Sequence, residues 1–181
     1  MKFEDAIKHS VNYLKSKEFT EREDAQTTLP TINKLIEINK AGIITYDSQA
    51  GIKNRFNTER AYIAGFMVRE NAEKLMKYVM THTDIIFFIV ASCNEDNWME
   101  NPIYKRSASI PLTIANKTGD VETTMTTIMP ASIIDSERKQ LKITKNSSIV
   151  PIFCFDSKWA RHTLSKYGLL NQILHCLHKL K

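Results

Sequence analysis

The chain has 181 residues, 43% of them hydrophobic and 25% charged, with five glycines and five prolines. That composition excludes disordered, fibrous and disulfide-dense classes, and the length suits one domain burying roughly two thirds of the surface its unfolded form would expose. The net charge of +5 is uneven: 10 basic residues face 9 acidic ones over 1–60, 6 face 8 over 61–130, and 9 face 3 over 131–181.

Phe3, Ile7, Val11 and Leu14 fall at spacings of four, four and three, which predicts an amphipathic helix over 3–16. Residues 17–28 are mostly polar and read as a solvated connection. Leu29-Pro30 opens a second helix, because an early Pro lacks only an N–H that has no helical partner there. Its apolar stripe is Leu29, Ile32, Leu35 and Ile36, and Gly42 can take the left-handed conformation that ends it. A short β run, Ile43 to Tyr46, leads into a polar turn, Asp47-Ser48-Gln49-Ala50-Gly51.

Residues 60–68 are apolar at both odd and even positions, the pattern of a strand covered on both faces. Asn71 is positioned to cap a third helix carrying Ala72, Leu75, Met76, Val79 and Met80, and Ile85 to Val90 reads as another buried strand. Strand, helix and strand in about thirty residues predicts a βαβ unit. Residues 92–107, with Trp98 and Pro102, read as a long loop. The segments 109–115 and 121–129 suit a hairpin across Lys117 to Asp120. Residues 131–148 are ambiguous. Val150 to Phe155 reads as a last strand, followed by a helix capped by Ser157 through Trp159 and another from Leu169 to Leu180. The expected fold is α/β, with α+β as the alternative: a single domain over 1–181, whose mixed β-sheet is covered by helices.

Cys93, Cys154 and Cys176 are odd in number and widely spaced, as expected of reduced thiols in a cytoplasmic protein. Met1 to Asp5 contains no signal-peptide core, and the longest apolar run, Ile85 to Ala91, is far short of the roughly 18 residues of a membrane span. No membrane partner is expected. Asn146-Ser147-Ser148 matches the N-glycosylation pattern, a chance match in an intracellular chain. The basic region 131–181 reads either as a solvated face or as a weak nucleic-acid-binding surface.

The 47–51 turn is the leading site. A strand that delivers Asp47, Ser48 and Gln49 before Gly51 can offer backbone and side-chain donors to an anion, and Arg55 and Arg60 can grip phosphate or carboxylate bidentately. An ordinary Asx-type turn accounts for the same residues. The pattern Asn39-x-x-Gly42-Ile43-x-Thr45-x-x-Ser48-Gln49-Ala50-Gly51, followed by Arg60-Ala61-Tyr62-x-x-Gly65-Phe66, resembles a stretch of an uncharacterised family of small bacterial and large-DNA-virus proteins. Here Ile38 stands for that family's Leu, and Ala50 for its Pro. The resemblance implies importance for Ser48, Gln49, Gly51 and Arg60 and supplies no reaction.

Asp156, Trp159, Arg161 and His162 form a second cluster beyond the last predicted strand, where ligands of open α/β sheets bind. Trp159 can stack on a base, and Asp156, Arg161 and His162 can bind or protonate a substrate, although a capped helix start with Trp159 packed beneath it explains the cluster more simply. His175-Cys176-x-His178 is a fragment of a metal pattern lacking further ligands, so no metal is expected. His9 and His82 stand alone near helix ends, a structural setting by default. Walker, dinucleotide and Gly-x-Ser-x-Gly patterns are missing, and no cofactor is expected.

Three functions stay open. The first is a domain binding a phosphate-bearing small molecule such as a nucleotide at 47–60, through Ser48, Gln49, Gly51, Arg55, Arg60, Asp156, Trp159 and Arg161. The second is an enzyme on a phosphorylated or nucleotide-derived substrate, using Asp47, Glu59 or His162 as acid or base. The third is an interaction or assembly protein. The oligomeric state is not legible.

Overall fold

The computed structural model describes residues 2–21, 29–93, 109–144, 146 and 148–180. Two helices, α1 (Phe3–Leu14) and α2 (Lys17–Thr20), precede a 3-10 turn at Leu29–Thr31 that passes directly into α3 (Ile32–Lys40). Gly42, at φ +113°, swings the chain into β1 (Ile44–Ala50). Then come β2 (Asn57–Glu59), β3 (Ala61–Val68), α4 (Arg69–His82), β4 (Ile85–Ile89) and β5 (Ala91–Cys93). The remainder comprises β6 (Ser109–Ala115), β7 (Val121–Thr126), β8 (Ile128–Pro130), α5 (Ala131–Gln140), β9 (Ile149–Asp156) and α6 (Leu169–Lys179).

The fold is mixed α/β. Its main sheet has the order β1-β3-β9-β4, antiparallel at every pairing. The strand, helix and strand expected over 60–90 are present, and β3 and β4 run in the same direction, but β9 lies between them and hydrogen-bonds to both. The βαβ unit is therefore split. A second, antiparallel sheet has the order β2-β6-β7, and among the described residues parallel pairing is confined to β5 with β8.

The alternation within β3 and β9 explains their burial on both faces. Ala61, Ile63, Met67, Val150, Ile152 and Cys154 join the apolar sides of α1, α3, α4 and α6. On the opposite face Tyr62, Ala64, Phe153 and Phe155 pack beneath Leu112 and Ile110 of β6 and Met125 of β7. Phe66 belongs to a third cluster with Ile44, Ile134 and Ile149, under α5.

One buried amide joins α1, α3 and β1. Asn39 is wholly buried, and its Oδ1 accepts from the Ser10 hydroxyl (2.9 Å) and the Thr45 N–H (3.2 Å). Its Nδ2 donates to the Leu35 carbonyl (2.7 Å) and Thr45 Oγ1 (2.8 Å). The Asn39, Gly42 and Thr45 of the recognised stretch are thus explained by the α3–β1 junction.

Several expectations are corrected. The polar residues Asp47 to Ala50 continue β1 rather than turning, paired with Ala64, Ile63, Tyr62 and Ala61, and the strand absorbs a bulge between Thr45 and Asp47. An edge strand tolerates polar residues because one of its sides lacks a strand partner. The ambiguous 131–148 contains α5. Helix α4 begins at Arg69, before Asn71, with Val68 as its cap residue and no side-chain cap bond. Ser157 to Trp159 form bends and turns instead of a helix. Residues 128 and 129 leave the predicted hairpin and, with Pro130, pair with β5. The expected loop at 92–107 lies largely outside the described residues, as does 22–28 of the expected 17–28 connection.

Candidate functional site

The site forms where β1 ends. Gly51 has φ +72°, and a Cβ there would stand 2.5 Å from the Ala61 N and 2.8 Å from the Arg161 carbonyl oxygen. Only glycine permits this approach. The segment after β9 is bound to the same corner through the Ala160 N–H to the Glu59 carbonyl (3.0 Å) and the Thr163 N–H to the Ala50 carbonyl (2.8 Å). Ala160 itself takes a left-handed conformation, φ 57°, that is uncommon for a residue with a Cβ.

Between these segments lies a cleft of about 360 Å³, lined by Ser48, Gln49, Ile52, Glu59, Tyr62 and His162, with Thr31, Ala50, Thr163 and Leu170 completing it. Four of the predicted site residues, Ser48, Gln49, Glu59 and His162, are thus brought together from three separate stretches of chain. Gln49 Nε2 donates to Thr113 Oγ1 (3.3 Å), which orients its amide. Asn57 Nδ2 donates to Glu59 Oε1 (3.0 Å). Burial pushes the Glu59 carboxyl above its ordinary pKa; the Asn57 bond opposes this, and the Glu122 charge adds to it. His162 is exposed, and its Nδ1 accepts the Leu164 N–H (3.2 Å), so that Nε2 carries the proton of the neutral ring.

Asp47 is outside this lining; it is exposed and accepts from the Tyr62 hydroxyl at 2.9 Å. Burial raises the Tyr62 pKa, with Asp47 as the next cause, so the phenol stays a donor. Gly51 shapes the corner through its backbone.

The arginines take other places. Arg161 binds Asp156 bidentately and reaches Asp84 at 3.2 Å, so Asp156 and Arg161 are engaged with each other. The guanidinium of Arg60 lies 4.3 Å from the Trp159 ring centroid and 5.3 Å from that of Phe155. Burial lowers the Arg60 pKa, with Asp156 opposing, and its Nε is buried without a hydrogen-bond partner among the described residues. Trp159 therefore stacks on an arginine. Arg55 is exposed and lies over Phe56, 4.6 Å from its centroid.

Among the described residues, no group of three or more His, Cys, Asp and Glu is placed to hold a metal ion, and no helix is long and apolar enough to cross a membrane. His175 and His178 are exposed on α6, whereas Cys176 is buried. His82 stacks on Tyr78, and its Nδ1 lies 2.9 Å from the Tyr78 carbonyl. The sequence reading missed Tyr62, Thr31 and Thr163. Thr31 and Thr163 lie in no motif and Tyr62 stands in the recognised stretch without a role assigned to it; the pairing of β1 with β3 and the bond from the Thr163 N–H to the Ala50 carbonyl place Tyr62 and Thr163 here.

These features define an α/β protein with a polar cleft at the edge strand of a split antiparallel sheet. The chain belongs to the family described as domain of unknown function (DUF6919), whose model matches residues 10–179. Comparison with curated proteins found no match.

Proposed function

We propose that the protein is a ligand-binding domain whose cleft holds a small polar molecule such as a nucleotide. One observation carries this reading: Ser48, Gln49, Glu59 and His162 converge on a single cleft from the end of β1, from β2 and from the segment after β9. A volume of about 360 Å³ lies at the small end of the roughly 300–1,000 Å³ typical of ligand sites, which suits a mononucleotide better than a dinucleotide. The test is a thermal-shift panel of nucleotides, cyclic nucleotides, dinucleotides and sugar phosphates on wild type and Gln49→Ala. A ligand at about 100 times its dissociation constant stabilises by about 2.7 kcal/mol. The expected result is a shift in wild type that Gln49→Ala loses; no shift with any compound overturns the reading.

A second reading, an enzyme acting on such a ligand, is favoured by Glu59. A half-buried carboxyl with a raised pKa in a cleft that also holds His162 is an acid–base arrangement. Consumption of a bound compound, abolished in Glu59→Gln, distinguishes it from binding alone.

A further inference from the structure

Resting on the ligand-binding reading, we infer that Thr163 and Glu59 together grip a vicinal diol of the ribose type, so that the ligand enters the cleft by its uncharged, hydroxylated end. Thr163 is 2% exposed and lines the cleft, yet its Oγ1 is buried with no hydrogen-bond partner among the described residues. A buried hydroxyl left unpaired is costly, and proteins retain few of them without a reason. Its backbone N–H is already committed to the Ala50 carbonyl, which fixes the residue where it stands.

The charge of the lining selects the class of ligand. It contains the carboxyl of Glu59 and neither Lys nor Arg. Arg161 is held by Asp156 and Asp84, and Arg60 lies on Trp159. A phosphate beside Glu59 would meet a carboxylate with no Lys or Arg in the lining to offset it. The lining offers acceptors instead. Among the described residues Glu59 is bonded through Oε1 alone, by Asn57, and Gln49 gives one Nε2 hydrogen to Thr113, which leaves its carbonyl oxygen to accept. Hydroxyls both donate and accept, so a diol satisfies the Glu59 carboxylate and the Thr163 hydroxyl at once. An ammonium group donates only, and would leave the Thr163 proton unused.

The experiment is calorimetric titration of the full chain with the four ribonucleosides, their 2′,3′-dideoxy counterparts and inorganic pyrophosphate, on wild type, Gln49→Ala, Thr163→Val and Glu59→Gln. At least one ribonucleoside is expected to bind, its dideoxy counterpart and each of the Thr163→Val and Glu59→Gln variants weakening binding by about tenfold or more, the effect of one hydrogen bond with a charged or buried partner. Thr163→Val is also expected to raise the ligand-free Tm, because an isosteric methyl replaces an unpaired hydroxyl. Equal binding of the dideoxy compound, unchanged affinity in Thr163→Val, or a lowered ligand-free Tm in that variant overturns the inference. Binding of pyrophosphate alone, lost in Gln49→Ala, overturns the diol and leaves the ligand-binding reading standing; binding of no probe overturns the diol, and the ligand-binding reading falls with it only when the nucleotide panel also gives no thermal shift.

Discussion

Arg161 closes on both carboxylate oxygens of Asp156, Nε to Oδ2 and Nη2 to Oδ1, each at 2.5 Å, and Asp156 is wholly buried at the end of β9. The Lys158 N–H adds a third bond to Oδ1 at 2.8 Å. The pair fastens the segment that carries His162 and Thr163 to the sheet. Arg161→Ala would strand a buried carboxylate, and is expected to cost about 3–5 kcal/mol in urea unfolding. Arg161→Lys should recover only part of that, since an ammonium cannot reproduce two parallel bonds. A near wild-type midpoint for Arg161→Ala would show that the segment is held by other contacts.

Two glycines with the same backbone angle form an internal control. Gly51 and Gly119 both have φ +72°, but a Cβ at Gly119 meets nothing within 4 Å whereas one at Gly51 runs into Ala61 and Arg161. Gly119→Ala is expected to lose only the left-handed penalty, about 1–2 kcal/mol. Gly51→Ala should lose clearly more and distort the cleft. Equal losses in chemical denaturation would refute the close approach.

Asn39→Ala leaves the Ser10 hydroxyl and both Thr45 groups without their buried partner. At about 1–3 kcal/mol for each unsatisfied group, the expected loss exceeds 3 kcal/mol. Asn39→Asp is the sharper comparison. It keeps the acceptor but removes the donors to Leu35 and Thr45, and it should also destabilise, as differential scanning calorimetry would show.

Glu59 gives a pH signature. Because burial raises its pKa, the native state holds the Glu59 proton more tightly than the unfolded chain does. The stability this group contributes is complete below the unfolded carboxylate value, about pH 4.3, and is lost as pH rises through the native value. Glu59→Gln cannot titrate. Its Tm relative to wild type is therefore expected to climb between pH 4 and pH 7, and a difference independent of pH would contradict the raised value.

Much of this architecture is written locally. Unbroken apolar runs marked β3 and β9, and four- and three-residue spacings marked α1 and the helix around Leu35, because burial on two faces and on one stripe leaves distinct periodicities; the run at β4 marked a strand as well, although Ile86 on it is exposed. The extension of β1 through Asp47 to Ala50 was hidden, since polar side chains on an edge strand look like a turn. Helix α5, with Ile134 as its one buried residue, carries too few apolar residues to show a stripe. In the site, Gln49, Glu59 and His162 were visible as residues able to do chemistry. The engagement of Arg161 by Asp156, the stacking of Arg60 and the stranded hydroxyl of Thr163 depend on partners far away in the chain.

The insertion of β9 between β3 and β4 sets an order on biosynthesis. When β3, α4 and β4 have left the ribosome, their two strands share no hydrogen bond and must wait for a strand translated much later, after α5. Until β9 emerges, the inner edges of β3 and β4 remain open to mispairing and aggregation while the 59 residues between β4 and β9 are made. The cleft comes later still, because the segment carrying His162 and Thr163 is made only after that closing strand.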